Sequence, residues 1–249
     1  MTKSPAPATA PWERIFVGLD TQDLDKAARI AGQVRGAVGG VKIGKELFTA
    51  HGPEGVRKAA GETPLFLDLK FHDIPNTVAG AVRAAVRLQP KILNVHASGG
   101  RAMMEAAAAA AQEAAAALGV ARPKVIGVTV LTSLDAADLE DVGQKGPPAA
   151  QVERLARLAQ ASGLDGVVCS PQEIALLRKA CGPDFLLVVP GIRPSWSAAG
   201  DQKRIMTPAD ALAAGADHIV IGRPITAADD PLAAARRIAA ELDPTAVEA

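Results

Sequence analysis

A chain of 249 residues fits one large domain or two small ones, and at 49% hydrophobic it can bury a substantial core. Its 27 basic and 27 acidic residues cancel, so no charge excess points to a nucleic-acid binder. Two cysteines, Cys169 and Cys181, are too few for a disulfide framework and wrongly spaced for zinc, and no run approaches the ~18 apolar residues of a membrane span, so a reducing cytoplasm is the expected setting.

Residues 1–11, rich in Pro, Ala and Thr, read as a disordered tail without the apolar stretch of a signal peptide. From residue 12 to 249, short β-rich runs alternate with helical patterns. Arg14–Leu19 precedes a helix over Leu24–Val38, and Val41–Ile43 precedes Glu46–Ala60. Leu65–Lys70 precedes Thr77–Leu88, and Ile92–His96 precedes Gly100–Leu118, whose Ala-rich tract helix propensity explains. Lys124–Leu131 precedes Ala149–Ser162, and Gly166–Cys169 precedes Gln172–Ala180. Phe185–Val189 precedes Pro208–Ala214, and His218–Ile221 precedes a helix from about Pro231 to Leu242. Eight β-then-α units predict an α/β fold of the closed (β/α)₈ TIM-barrel type, as a single catalytic domain. An open doubly wound sheet is the alternative, but no G-x-G-x-x-G follows the first strand.

A barrel places its chemistry at the C-terminal strand ends. Those ends carry Asp20, Lys42, Asp68 with Lys70, Asn94 with His96, Thr132 with Ser133, Gly191 with Arg193, and Gly222 with Arg223. Each has a plainer reading alone. Asp20 could start a turn or cap a helix, Lys42 could snorkel as Lys45 does, and Thr132 and Ser133 could be turn residues. Asn94 reads as structural and His96 as a hydrogen-bonded core histidine.

The run FLDLKFHDIPNTV, Phe66 to Val78, is the most informative. Residues i and i+2 of a strand share a face, so Asp68 and Lys70 project together, and Asp73 can fold back from the loop before Pro75. A lysine held between carboxylates stays protonated, which makes it a poor Schiff-base nucleophile and a good proton donor to a carbanion. A structural salt bridge is the alternative, yet charge on an apolar strand is costly when nothing needs it. In the last two loops, Gly191-Ile192-Arg193 and Gly222-Arg223 form a paired signal: glycine lets backbone N–H groups approach an anion, and arginine adds a bidentate fork. Barrels often hold a phosphate there, and Gln202 could add an amide contact.

Several ordered segments together (FLDLKFHDIPNT, NVHASGG, VTVLTS, LDGVVCS, PGIRP, AGDQKRIMTP and VIGRPI) make the chain resemble the orotidine 5′-phosphate decarboxylase family from Asp20 to Arg223. The resemblance implies a (β/α)₈ homodimer that converts orotidine 5′-phosphate to UMP and CO₂ without a cofactor or metal. It further implies that Asp20 and Lys42 hold the ribose hydroxyls and that Asp68 lies beside the scissile carboxylate. Lys70 would donate the proton to C6, and Asp73 and Thr77 would reach the neighbouring subunit's site. Thr132 would read the pyrimidine edge, and Arg193, Gln202, Gly222 and Arg223 would hold the phosphate. A related barrel decarboxylase of 3-keto-gulonate 6-phosphate type shares D-x-K-x-x-D, but uses Mg²⁺ and has a glutamate ligand where this chain has Lys42. A Schiff-base aldolase conflicts with the carboxylates flanking Lys70. A catalytically dead phosphonucleotide-binding barrel conflicts with the intact Asp68–Lys70–Asp73 array.

Overall fold

The structure, a computed structural model, describes residues 10–144, 146–197 and 206–242. Eight parallel strands form a closed barrel in chain order: β1 (Ile15–Gly18), β2 (Gly40–Gly44), β3 (Leu65–Phe71), β4 (Ile92–His96), β5 (Lys124–Val128), β6 (Gly166–Val168), β7 (Leu186–Val189) and β8 (His218–Ile221). β8 pairs with β1, so the sheet has no open edge and the fold is a TIM barrel. The helices are α1 (Leu24–Val34), α2 (Lys45–Ala60), α3 (Pro75–Val86), α4 (Arg101–Leu118), α5 (Ala136–Asp141), α6 (Pro148–Ala161), α7 (Ile174–Cys181), α8 (Pro208–Ala213), α9 (Arg223–Thr226) and α10 (Pro231–Glu241). Among the described residues no helix is long and apolar enough to cross a membrane.

Each strand buries both faces, which is why the runs read as nearly continuous apolar stretches. Val17, Val41, Leu67 and Leu93 pack outward into the main core with helical residues such as Ile30, Val56 and Val82. Phe16, Phe66, Ile92, Ile126, Val188 and Val220 point inward and form a separate plug, with Phe16 and Phe66 edge to face at 6.0 Å. Strand side chains alternate, so the residue two places beyond each plug residue also points inward, one layer nearer the C-terminal rim. Those residues are Gly18, Asp68, Asn94, Val128, Pro190 and Gly222. The apolar plug is therefore the floor of the polar layer above it.

The predicted helix over Leu24–Val38 ends early, at Val34, because Gly36 adopts φ +77°. α3 begins at Pro75, where a missing N–H costs nothing in the first helical turn, rather than at Thr77. β5 stops at Val128, short of the expected Leu131, and the short helices α5 and α9 follow β5 and β8 where no helix was expected. α9 starts at Arg223, directly after β8.

Candidate active site

Four charged side chains meet on the inner face of β1 to β3. Lys42 Nζ donates to Asp20 Oδ1 at 3.0 Å and stands 3.2 Å from Asp68 Oδ2. Lys70 Nζ donates to Asp68 Oδ1 at 2.6 Å. Asp20, Lys42, Asp68 and Lys70 thus form one alternating ionic chain. Gly18 leaves it room: a Cβ there would stand 3.3 Å from Asp20 Oδ2 and 3.4 Å from Lys42 Cε.

Burial works against the charges of Asp68 and Lys42, and the neighbouring charges answer it. Burial alone would raise the Asp68 pKa, but Lys42 and Lys70, with hydrogen bonds from Lys70 and Asn94, outweigh it and hold the carboxyl at about 2. Burial alone would lower the Lys42 pKa, but Asp68 and Asp20 outweigh it and hold the ammonium above the usual lysine value. Asp68 is therefore a carboxylate, and Lys42 a cation, throughout the neutral range.

The convergence of Asp68 and Lys70 does not come from a regular strand. Leu67 pairs with Leu93 and Phe71 with Val95, so four steps along β3 match two along β4. Lys70 sits in this bulge at φ +53°, a left-handed conformation that costs a non-glycine residue roughly 1 kcal/mol or more. Bulges re-aim side chains beside active sites, and this one turns the lysine back onto Asp68. Its N–H, which the broken ladder cannot use, donates to Asn94 Oδ1 at 2.7 Å. Asn94 Nδ2 in turn donates to Asp68 Oδ1 at 2.7 Å. Asn94, read from sequence as merely structural, is part of the array. Its inward parity on the strand next to Asp68 was the available signal.

Asp73 does not join the array of its own chain. Its Oδ1 accepts the Ile74 N–H at 2.6 Å, and residues 72–77 are exposed, with Ile74 at 67%. Thr77 lies in the exposed first turn of α3. His96 is half-buried, with its ring 5.4 Å from that of His72. Burial, then His72, Lys45 and Lys70, push its pKa down to about 4, so it is neutral at neutral pH.

A cavity of about 470 Å³ opens above the plug. Asp20, Lys42, Asp68 and Lys70 line one side, and Gly191, Arg193, Gly222 and Arg223 line another, with Thr132 at the β5 loop. Arg193 is buried, and its pKa is lowered by that burial and by the like charge of Arg223. Two guanidiniums that repel each other across a cavity suit a multiply charged anion. Gly191 at φ +78° makes the turn that brings Arg193 inward, and the Arg193 N–H donates to the Met206 carbonyl at 3.1 Å. Beyond it, Trp196 stacks on Arg237 of α10 at 4.4 Å and donates to Glu241 at 2.5 Å, which pins the start of this loop to the last helix. Gln202 lies outside the described residues. Among the described residues no three His, Cys, Asp or Glu side chains are grouped as metal ligands.

The arrangement can bind a small molecule with an anionic group at the arginine end, and can present a carboxylate and an ammonium to its other end. The sequence model of the orotidine 5′-phosphate decarboxylase / HUMPS family matches residues 13–238. The chain is 58% identical over 229 residues to the orotidine 5′-phosphate decarboxylase of Paramagnetospirillum magneticum, covering 92% of this chain and 97% of that protein. It is 57% identical over 230 residues to that of Rhodospirillum rubrum, covering 92% and 93%. The crystal structure of orotidine 5′-phosphate decarboxylase from Lactobacillus acidophilus superposes with a TM-score of 0.79 at 38% identity, covering 92% of this chain and 98% of that one.

Proposed function

The chain belongs to the orotidine 5′-phosphate decarboxylase / HUMPS family, and from that premise we propose that it is a carboxy-lyase that decarboxylates orotidine 5′-phosphate to UMP and CO₂ in pyrimidine biosynthesis. The observation that carries this reading is the Asp20–Lys42–Asp68–Lys70 ionic chain, built around the buried Asp68, in one cavity with Arg193 and Arg223. The high identity to proteins of that name over nearly the whole chain supports it.

In this reading the arginine end, with Gln202 and Gly222, takes the 5′-phosphate. Asp20 and Lys42 hold the ribose hydroxyls, and Thr132 reads the pyrimidine edge. The substrate carboxylate then lies by Asp68, with C6 towards Lys70. The C6–carboxylate bond breaks with its electron pair left on C6, CO₂ departs, and a proton passes from Lys70 Nζ to C6. Lys70 regains a proton from solvent, so the reaction consumes one proton overall. The Lys70 ammonium meets negative charge that develops only as CO₂ leaves, so its stabilisation falls on the transition state. Asp68 adds a like-charge contact with the bound carboxylate. Two unit charges 4 Å apart repel by about 4 kcal/mol at an effective dielectric near 20, and departure of CO₂ relieves part of that. Transition-state stabilisation by Lys70 carries the greater weight, since ground-state stress is the more contested contribution.

The family name also covers HUMPS proteins. Lys42 favours orotidylate decarboxylation over the Mg²⁺-using 3-keto-gulonate 6-phosphate type of reaction, because a divalent cation between Asp20 and Asp68 would have to displace an ammonium already paired with both. The working unit is a cytoplasmic homodimer with shared sites, in which Asp73 and Thr77 serve the neighbouring subunit. The exposure of residues 72–77, and the Asp73 carboxylate's hydrogen bond to the adjacent Ile74 N–H in place of any described contact with its own chain's ionic array, support this.

The test is the loss of orotidylate ultraviolet absorbance on adding metal-free protein, with Lys70→Ala as the folded comparison. Turnover by the native chain and near-complete loss in the variant are expected. Unchanged absorbance with the native chain would refute the activity, and near-native turnover by Lys70→Ala would refute the role given to Lys70.

A further inference from the structure

We propose that Asn94 is a positioning residue of the active site, one that fixes both the Asp68 carboxylate and the left-handed backbone of Lys70. Asn94 is fully buried and is not among the residues lining the cavity. It therefore acts through its two partners and not on the substrate.

The orientation of its amide is forced. The backbone N–H of Lys70 can only donate, so the atom 2.7 Å from it is the amide oxygen. The atom 2.7 Å from Asp68 Oδ1 is then the NH₂ group, which suits an ionised carboxylate. The two contacts also occupy a gap in the fold. Between the pairs Leu67–Leu93 and Phe71–Val95, β3 carries two residues more than β4 can match. The Lys70 N–H, at φ +53°, has lost its ladder partner to this bulge, and the Asn94 side chain replaces the missing carbonyl. No other residue fills both roles. A leucine would leave the Lys70 N–H without its acceptor and take one donor from Asp68, and a glutamine would overreach by one methylene. An aspartate would keep the acceptor for Lys70 but face Asp68 with a second carboxyl.

The aspartate case separates positioning from mere packing. In Asn94→Asp the introduced carboxyl lies against Asp68, and two carboxyls that close cannot both ionise freely. While the introduced group is protonated it donates to Asp68 as the amide did. Once it ionises, it repels Asp68 and draws Lys70 away. In Asn94→Ala both contacts are gone at every pH. Turnover by this chain is the decarboxylation proposed above, so one part of the test rests on that reading.

The experiment compares native, Asn94→Asp and Asn94→Ala chains by kcat against pH, by UMP affinity in calorimetry, and by ¹³C NMR titration of Asp68. For Asn94→Ala, kcat should fall about 10- to 100-fold, the range expected for losing a hydrogen bond to a charged group, with UMP affinity nearly unchanged. Asn94→Asp should gain an ionisation absent from the native profile, with activity lost as pH rises through it. The Asp68 titration midpoint should rise in Asn94→Ala. An Asn94→Asp profile parallel to the native one, or an unmoved Asp68 midpoint in Asn94→Ala, would overturn the proposal. If Asn94→Ala does not fold, Asn94→Asp, which keeps the size and the Lys70 acceptor, supplies the pH profile that decides. A native chain without turnover would refute the decarboxylase reading and leave the Asp68 titration to decide on Asn94.

Discussion

Mixing two inactive variants tests the proposed exchange of residues between subunits. Lys70→Ala removes the proposed proton donor from the array, and Asp73→Ala removes a carboxylate that lies outside its own chain's array and accepts only the adjacent Ile74 N–H among its described hydrogen bonds. Each homodimer should be nearly inactive. In a symmetric dimer with shared sites, a mixed pair concentrates both lesions in one site and leaves the other whole. Equal amounts with full exchange make about half of the dimers mixed, each with one intact site of two, so activity should recover to about a quarter of native. The assay is orotidylate decarboxylation followed by absorbance, on a mixture whose exchange is verified by native mass spectrometry of differently tagged subunits. If Asp73 served its own site, both sites of a mixed dimer would be defective. No recovery in a sample with verified mixed dimers would refute the shared site. The exposure of the loop, with Ile74 at 67%, would then need another explanation.

Arg223→Ala should mainly lower kcat/KM for the nucleotide and have much less effect on a substrate lacking the phosphate; equal losses on both would count against a phosphate contact. EDTA treatment should leave turnover unchanged, and abolition by EDTA with rescue by Mg²⁺ would instead favour the 3-keto-gulonate 6-phosphate type of decarboxylase. Asp68 gives a pH prediction. Its folded pKa is depressed from 3.8 to about 2, so it contributes about 2 kcal/mol of stability that is fully present above pH 3.8 and lost as pH falls through about 2. The stability difference between the native chain and Asp68→Asn, measured by urea unfolding, should therefore shrink by that amount across this window, and a constant difference would show that Asp68 is not held as the structure indicates.

The barrel was legible because a strand buried on both faces leaves an apolar run, and eight such runs separated by helical patterns have few ways to pack. β4 and β8 match their predicted bounds, Ile92–His96 and His218–Ile221, residue for residue. The ionic chain was partly legible, since Asp20, Lys42, Asp68 and Lys70 are charges at the ends of apolar strands. Their meeting was not. The i, i+2 rule put Asp68 and Lys70 on one face, but in the fold they converge through a bulge with Lys70 left-handed. Nothing about a lysine signals positive φ; the conformation is imposed by strand pairing and by Asn94, a tertiary partner 24 residues away. For the same reason Asn94 passed as structural, because a buried amide shows its function only when its partners are known. The helix ends that missed, as at Gly36, failed where one glycine outweighs an apolar periodicity that runs past it.

The two ends of the cavity place different electrostatic demands on a ligand. One chain's array holds two lysines and two aspartates within hydrogen-bonding reach, so the charges of Asp68 and Lys42 are compensated without a substrate. Arg193 instead carries both burial and the like charge of Arg223, and the phosphate of the proposed substrate would offset both. Binding energy at the arginine end can therefore seat a carboxylate beside Asp68, a contact that is unfavourable until CO₂ leaves. In the proposed reaction the negative charge then moves from the carboxylate to C6, away from Asp68 and towards Lys70. An array with fixed geometry meets this shift without reorganising, because the ammonium is already turned inward by the bulge and by Asn94. On this account the strained backbone of Lys70 is part of the chemistry, and relaxing it should cost turnover before it costs binding.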